Sequence, residues 1–303
     1  MKLAAVSWLG VAGLQDGSAD LCDGGRPADL IAITGAPGTG KSRLLLGIVH
    51  AKERLAPYGA GPSDAAITGG GDKAAKVMLR WSLSEAEQAE VGLRQALCDS
   101  EALFPAIKGL PVANDPALLE LLQRYDHEPS TGKLDYVPPG RALPSSATAA
   151  GDFVSELRRK RLSSGSEKYA VIKRLVIEAM RRRDPQVQRL RSLFGKLCPG
   201  RHLGGVTRDS DIELLSRSGS GALGSCSSSE WEAFAVAATL VFVGLDNSIV
   251  LYDTPELHID GQEAARRLTL LREAFPATQF IVATTSAAVI AASQKTVRLG
   301  ETT

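Results

Sequence analysis

No stretch of the 303-residue chain stays apolar for the roughly 18 residues a membrane span needs, so no membrane partner is expected. Only four cysteines occur (Cys22, Cys98, Cys198 and Cys226), and none share a C-x-x-C spacing. That pattern argues against a zinc centre or a disulfide framework and suits a reducing, cytoplasmic setting. Aromatic residues make up 5% of the chain, and the net charge is +1, so bulk charge says nothing about partners. There is no internal repeat and no N-K-x-D base-reading motif. The apolar run Leu3 to Leu14 after Lys2 has the look of a short leader peptide. No small-x-small cleavage site follows it, and a first β-strand is the preferred reading.

The chain does hold enough apolar residues, 44%, for a real core. Asp29 to Thr34 reads as a buried strand, Ser42 to Leu55 as a helix, and the Gly-, Ser- and Pro-rich residues 59–72 as a mobile surface loop. Val77 to Leu83 reads as a strand. Ser84 with Glu87 forms a capping box that starts a helix, and Asp115-Pro116 starts another. Lys133 to Val137 is a strand, and residues 139–151 look like a linker. Two amphipathic helices follow, Glu167 to Arg183 and Pro185 to Leu197. After a glycine-rich gap come a helix (about Glu230 to Val243), a strand (Ser248 to Tyr252), a helix (about Gly261 to Phe275) and a strand (Gln279 to Thr284). Apolar strands alternating with helices predict an α/β fold with a mainly parallel sheet covered on both faces.

Gly35-Ala36-Pro37-Gly38-Thr39-Gly40-Lys41-Ser42 completes the G-x-x-x-x-G-K-[ST] pattern, with a strand before it and a helix after it. Glycines let backbone N–H groups turn toward phosphates, and the helix N-terminus adds its positive end. Lys41 is expected at the β- and γ-oxygens and Ser42 at Mg²⁺, with Arg43 beside them on the nucleotide side. The metal needs a second ligand at the tip of a neighbouring strand. Ser248-Ile249-Val250-Leu251-Tyr252-Asp253 supplies it, making Asp253 the metal-side carboxylate. ATP is expected over GTP because no base-reading motif is present.

The run Leu251-Tyr252-Asp253-Thr254-Pro255-Glu256-Leu257-His258 resembles the D-E-P-E-x-H segment of ABC-type ATPase heads. The subgroup includes SMC-like proteins, the OLD nucleases and many small ATPases of bacterial anti-phage systems. Cys226-Ser227-Ser228-Ser229-Glu230 resembles the L-S-S-G-E signature, and Phe280 to Ser286 the A-T-H-S switch strand. Tyr136-Val137-Pro138-Pro139-Gly140-Arg141 resembles a Y-x-P-P-x-R segment. The resemblance runs from Lys2 to Gly300. It implies a P-loop NTPase fold occupying 1–303 as one ABC-type head, with an inserted basic helical lobe at 151–210. It also implies a homodimer that sandwiches ATP, with Ser228 and the amides after it on the γ-phosphate. A separate effector, such as a nuclease or toxin, would be gated by the heads, because this chain has no nuclease constellation of its own.

Three expected residues depart from the pattern. Thr254 stands where the water-polarising glutamate belongs, Thr285 where the switch histidine belongs, and Ser229 where the signature glycine belongs. Loss of a water-orienting base costs on the order of 10²–10⁴-fold, so hydrolysis should be slow unless Glu256 or a partner supplies the base. Asp253, Glu256 and Lys41 are then the catalytic candidates, and His258 a structural or interface residue. The alternative is a degenerate nucleotide-sensing scaffold; a transport subunit fits less well. Between Glu156 and Arg208 stand fifteen Lys/Arg against four acids, about +11. That stripe suits nucleic acid or an acidic partner, or else a solvated face balanced elsewhere in the chain.

Overall fold

The computed structural model describes residues 1–59, 61–71, 73–105, 114–124, 132–141, 153–165 and 167–300. The apolar run after Lys2 is β1 (Lys2–Leu9), which pairs with β2 (Gly17–Asp20) on one side. A bulge between Leu3 and Ala5 shifts the alternation, so that Leu3, Val6 and Trp8 are all buried. β3 (Cys22–Asp23) and β4 (Arg26–Pro27) form a two-stranded ribbon. β5 (Leu30–Thr34) is buried along its whole length and runs into the glycine turn and α1 (Lys41–Leu55).

Residues 59–72, expected as a mobile loop, hold α2 (Asp64–Thr68). Ser63 caps it, Gly69 ends it in the left-handed conformation, and Ile67 is buried. One apolar side chain thus anchors a segment whose composition looks like pure loop. β6 (Ala75–Ser82), α3 (Glu85–Val91) with the expected capping box, β7 (Leu97–Phe104), α4 (Pro116–Gln123) and β8 (Leu134–Val137) follow. Most of the linker-like stretch 139–151 lies outside the described residues. Next come α5 (Phe153–Lys160), α6 (Glu167–Arg182), α7 (Gln186–Leu197), β9 (Arg201–Val206), β10 (Ile212–Ser216) and β11 (Gly219–Ala222). The last elements are α8 (Ser228–Val243), β12 (Ile249–Asp253), α9 (Gly261–Ala274), β13 (Gln279–Ala283), α10 (Ala287–Ala292) and β14 (Lys295–Arg298).

The central sheet is five-stranded, in the order β14-β5-β13-β12-β8, and every pairing in it is parallel. β5, β12 and β13 are buried at every residue, as strands covered on both faces must be. Two antiparallel sheets that the strand pattern did not announce, β2-β1-β6-β7 and β11-β10-β9, flank it. α1 packs between the first of these and the parallel sheet, touching β6 and β7 on one side and β12 and β13 on the other. α8 is buried without interruption from Trp231 to Val241 and packs on α6 and α7. It is apolar all round because it lies inside the protein.

Candidate functional site

The chain enters the glycine turn from β5 and leaves it into α1. Gly40 has φ 92°, and a Cβ there would stand 2.8 Å from the Gly13 carbonyl oxygen and 2.7 Å from Leu14 Cδ1. A Cβ on Gly35 would come within 2.6 Å of the Leu299 carbonyl oxygen. Glycine is therefore required at both positions. Lys41 Nζ donates to the carbonyls of Gly35 (2.9 Å) and Ala36 (3.0 Å), which folds the ammonium back over the turn. Thr39 also bonds back to Ala36 O, at 2.9 Å from Oγ1. No side chain caps α1 and no acid stands in its first turn, so its N-terminal amides keep their attraction for an anion.

Asp253 ends β12, which is not the immediate neighbour of β5: β13 lies between them. Because the sheet is parallel, the two strand ends still open on the same edge. Ser42 Oγ donates to Asp253 Oδ1 at 3.0 Å. Thr254 Oγ1 donates to the same oxygen at 3.1 Å, and Tyr136 OH to Oδ2 at 3.3 Å. The carboxylate is 1% exposed and has three hydroxyl partners. Burial, and then the facing Asp253 charge, push the Tyr136 phenol far above its usual range, so it stays a donor.

Directly after Asp253 the backbone turns left-handed, with Thr254 at φ 53°. That is a strained value for a β-branched residue. Arg141, 1% exposed, spans this turn. Its Nη1 donates to Asp253 O (2.7 Å) and Pro138 O (2.9 Å), and its Nη2 donates to Thr254 O (2.8 Å). Glu256 Oε1 accepts from Thr284 Oγ1 (2.8 Å) and the Thr285 amide (2.9 Å), which ties the segment after β12 to the end of β13. Among the described residues no hydrogen bond joins Glu256 to Lys41 or Asp253. Arg43 turns away from the glycine turn and donates to Ala66 O in α2 at 2.7 Å.

At the tip of α8, Ser227 is the N-cap and forms a reciprocal capping box with Glu230. Ser228 is the first helical residue and is exposed, so its hydroxyl is not consumed by the cap. With Pro139, Gly140, Arg141, Trp231 and His258 it lines one groove. His258 thus faces the α8 tip rather than Asp253.

Many cations of the basic segment are paired with the chain's own carboxylates. Arg161 and Lys168 meet the fully buried Asp135, Lys173 meets Asp211, Arg189 meets Asp246, and Arg201 meets Glu230. Burial pushes the Lys168 ammonium down to about 8, against the pull of Asp135. Arg159, Arg182, Arg183, Lys196 and Arg208 remain exposed, with no ion pair or side-chain hydrogen bond among the described residues.

Tyr136, Arg141 and Glu232 belong to this site without having been assigned to it from sequence. The Y-x-P-P-x-R segment brought the first two into view but showed no partner. Glu232, an acid inside an apolar helix, was the available signal for the third.

No protein-family model and no curated protein matches the sequence. Solved structures do match. An Smc head bound to the C-winged helix domain of ScpA has a TM-score of 0.62 at 18% identity, over 98% of this chain and 94% of that one. The Smc head domain with an extended coiled coil, bound to the C-terminal domain of ScpA, from Pyrococcus furiosus gives 0.54 at 16% identity, over 98% and 93%. The SMC head domain from Thermotoga maritima gives 0.54 at 17%, over 98% and 94%. Identities this low speak to fold: the chain has the P-loop α/β fold of an ABC-type ATPase head.

Proposed function

We propose that this protein is a cytoplasmic ABC-type ATPase that binds Mg·ATP at the glycine turn, pairs with a second copy around the nucleotide and gates a separate effector protein. The observation that carries the reading is the 3.0 Å bond from Ser42 to Asp253, which joins the end of the phosphate loop to the tip of β12. The residues present suit magnesium: a serine hydroxyl and a carboxylate are hard oxygen donors, and this ion takes few protein ligands beside phosphates and water. Ser42 and Asp253 would hold it, and when bound it would neutralise charge on the phosphate oxygens. Lys41 would exchange its two carbonyl partners for phosphate, and the uncapped amides of α1 would add their donors. Ser228, exposed at the α8 tip, would meet the partner head's nucleotide.

The neighbouring Smc heads were solved with a bound partner domain, which supports an effector or adaptor for this chain too. A nuclease or toxin of an anti-phage system is the effector we favour. We assign the whole of 1–303 to one head, with residues 151–210 as a basic lobe. Hydrolysis is slow, because Thr254 cannot polarise water and the Glu256 carboxylate is held by Thr284 and Thr285. The same observation favours a second reading, a scaffold that senses ATP without turning it over.

Calorimetry tests the core of this. Wild type should bind ATP in EDTA and bind it more tightly with magnesium. Lys41→Ala should abolish binding. Ser42→Ala and Asp253→Asn should lose the magnesium-dependent gain while keeping the rest. No heat from any nucleoside triphosphate with magnesium present would refute the proposal. Turnover in the tens per second would refute the slow-switch element, and none at all would select the scaffold.

A further inference from the structure

Arg141 is a buried cation that the nucleotide chemistry does not by itself explain. Its guanidinium reaches three carbonyls, those of Pro138, Asp253 and Thr254. The same Nη2 also pairs with Glu232 Oε1 at 2.9 Å, and both residues are 1% exposed. Glu232 stands near the start of α8, two residues past the Glu230 of the capping box. Its Oε1 also accepts from the Tyr252 hydroxyl, whose ring lies 5.2 Å from Arg141 Cζ. One side chain therefore grips two consecutive carbonyls of the β12 turn and, in the same fork, the helix whose tip carries Ser228. A lysine could not do this, because it lacks the planar fork.

The grip falls where the backbone is strained. Thr254 at φ 53° turns its hydroxyl onto Asp253 Oδ1, the oxygen that also accepts from Ser42. The turn's shape and the carboxylate's aim are one geometric fact, and Arg141 spans it. A buried ion pair is weak evidence for stability, since apolar residues of similar volume often replace one without loss. A fork aimed at two carbonyls beside a metal-side carboxylate has a positional use instead.

We propose that Arg141 is a positioning residue that couples the N-terminal end of α8 to the Asp253–Thr254 turn, so that engagement of the α8 tip by a second copy sets the aim of Asp253. This rests on the nucleotide reading given above, and it deepens that reading by naming the residue that connects the two halves of the site.

The test uses the full chain as wild type, Arg141→Met, Glu232→Met and the double variant. It measures melting temperature, ATP affinity in EDTA and in magnesium, and single-turnover hydrolysis. In Arg141→Met, affinity in EDTA should stay within about twofold, because the glycine turn is intact. The magnesium-dependent gain should fall about 10-fold and the hydrolysis rate about 10²-fold, the scale of a displacement of about 1 Å at a reacting centre. The double variant should recover the melting temperature, since neither charge is then left buried alone, but neither the magnesium gain nor the rate. Recovery of all three together would mean a merely structural pair and would overturn the proposal. If Arg141→Met does not fold, Glu232→Gln, which keeps the packing, should show the same loss of magnesium gain; wild-type behaviour there would overturn it. Wild type that binds ATP while Arg141→Met matches it in every measure overturns this inference alone. Wild type that gives no heat overturns the nucleotide reading and this inference with it.

Discussion

Alanine at Gly40 and at Gly38 should separate two contributions within one turn. Both glycines sit at positive φ, 92° and 83°. Forcing a Cβ into that region costs roughly 1–2 kcal/mol per residue whatever surrounds it. At Gly38 nothing lies within 4 Å of the added carbon, so this is the whole cost. At Gly40 the carbon would meet the Gly13 carbonyl at 2.8 Å and Leu14 Cδ1 at 2.7 Å. Leu14 is 9% exposed and belongs to the core, and a backbone oxygen cannot swing aside as a side chain can. Overpacking of this kind adds about 1–3 kcal/mol. Gly38→Ala should therefore lose about 1–2 kcal/mol in urea unfolding, and Gly40→Ala about 2–5. Equal losses, or a larger loss at Gly38, would refute the claim that the 10–16 segment presses on the turn.

Two further outcomes follow from charge. Lys168 titrates near 8 in the folded protein against about 10.5 unfolded, with Asp135, Arg161 and Tyr169 around it. Between those values the unfolded chain binds more protons, so wild type should gain stability on Lys168→Met as pH rises from 8 to 10.5. Urea midpoints of the two proteins that keep a constant difference across that window would contradict the burial argument. For nucleic acid, the exposed cations of the 156–208 segment with no ion pair among the described residues are Arg159, Arg182, Arg183, Lys196 and Arg208, each worth at most about −0.9 in the logarithmic salt slope on duplex DNA. If this segment alone contacts the duplex, the slope should be no steeper than about −4.5; a steeper one would mean that cations outside it, or ones now ion-paired, join the contact.

Most of the parallel core was legible because its strands are short apolar runs; the edge strand β14 was not, because Lys295 to Arg298 is mostly polar. β5, β12 and β13 fall where the hydropathy places them, and α1 where the glycines end. β7 was not legible: Leu97 to Phe104 carries Asp99, Ser100 and Glu101, and its strand character comes from pairing with β6. β9 to β11 were hidden for a related reason. β9 and β11 are rich in glycine and serine, and the apolar face of the sheet is only Leu203, Ile212 and Leu214, too short a run to stand out before antiparallel pairing brings it together. The site divided in the same way. Lys41, Ser42 and Asp253 announce themselves by type and spacing. Arg141 does not, because its partners Glu232 and Asp253 lie about a hundred residues along the chain and meet it only in the folded state.

The position of β5 bears on when this protein can become competent during synthesis. Its two neighbours in the sheet are β13 and β14, made of residues 279–283 and 295–298. The Leu299 amide donates to Thr34 O at 2.8 Å, and the Leu299 carbonyl is one of the two atoms a Cβ on Gly35 would strike. A nascent chain emerging from the ribosome therefore carries the glycine turn but cannot seat it until some 260 residues beyond it have been added. Closure at that separation is slow, and β5 waits as an unpaired apolar edge in the meantime. Truncation anywhere before residue 279 should leave a chain in which the phosphate loop has no floor to stand on.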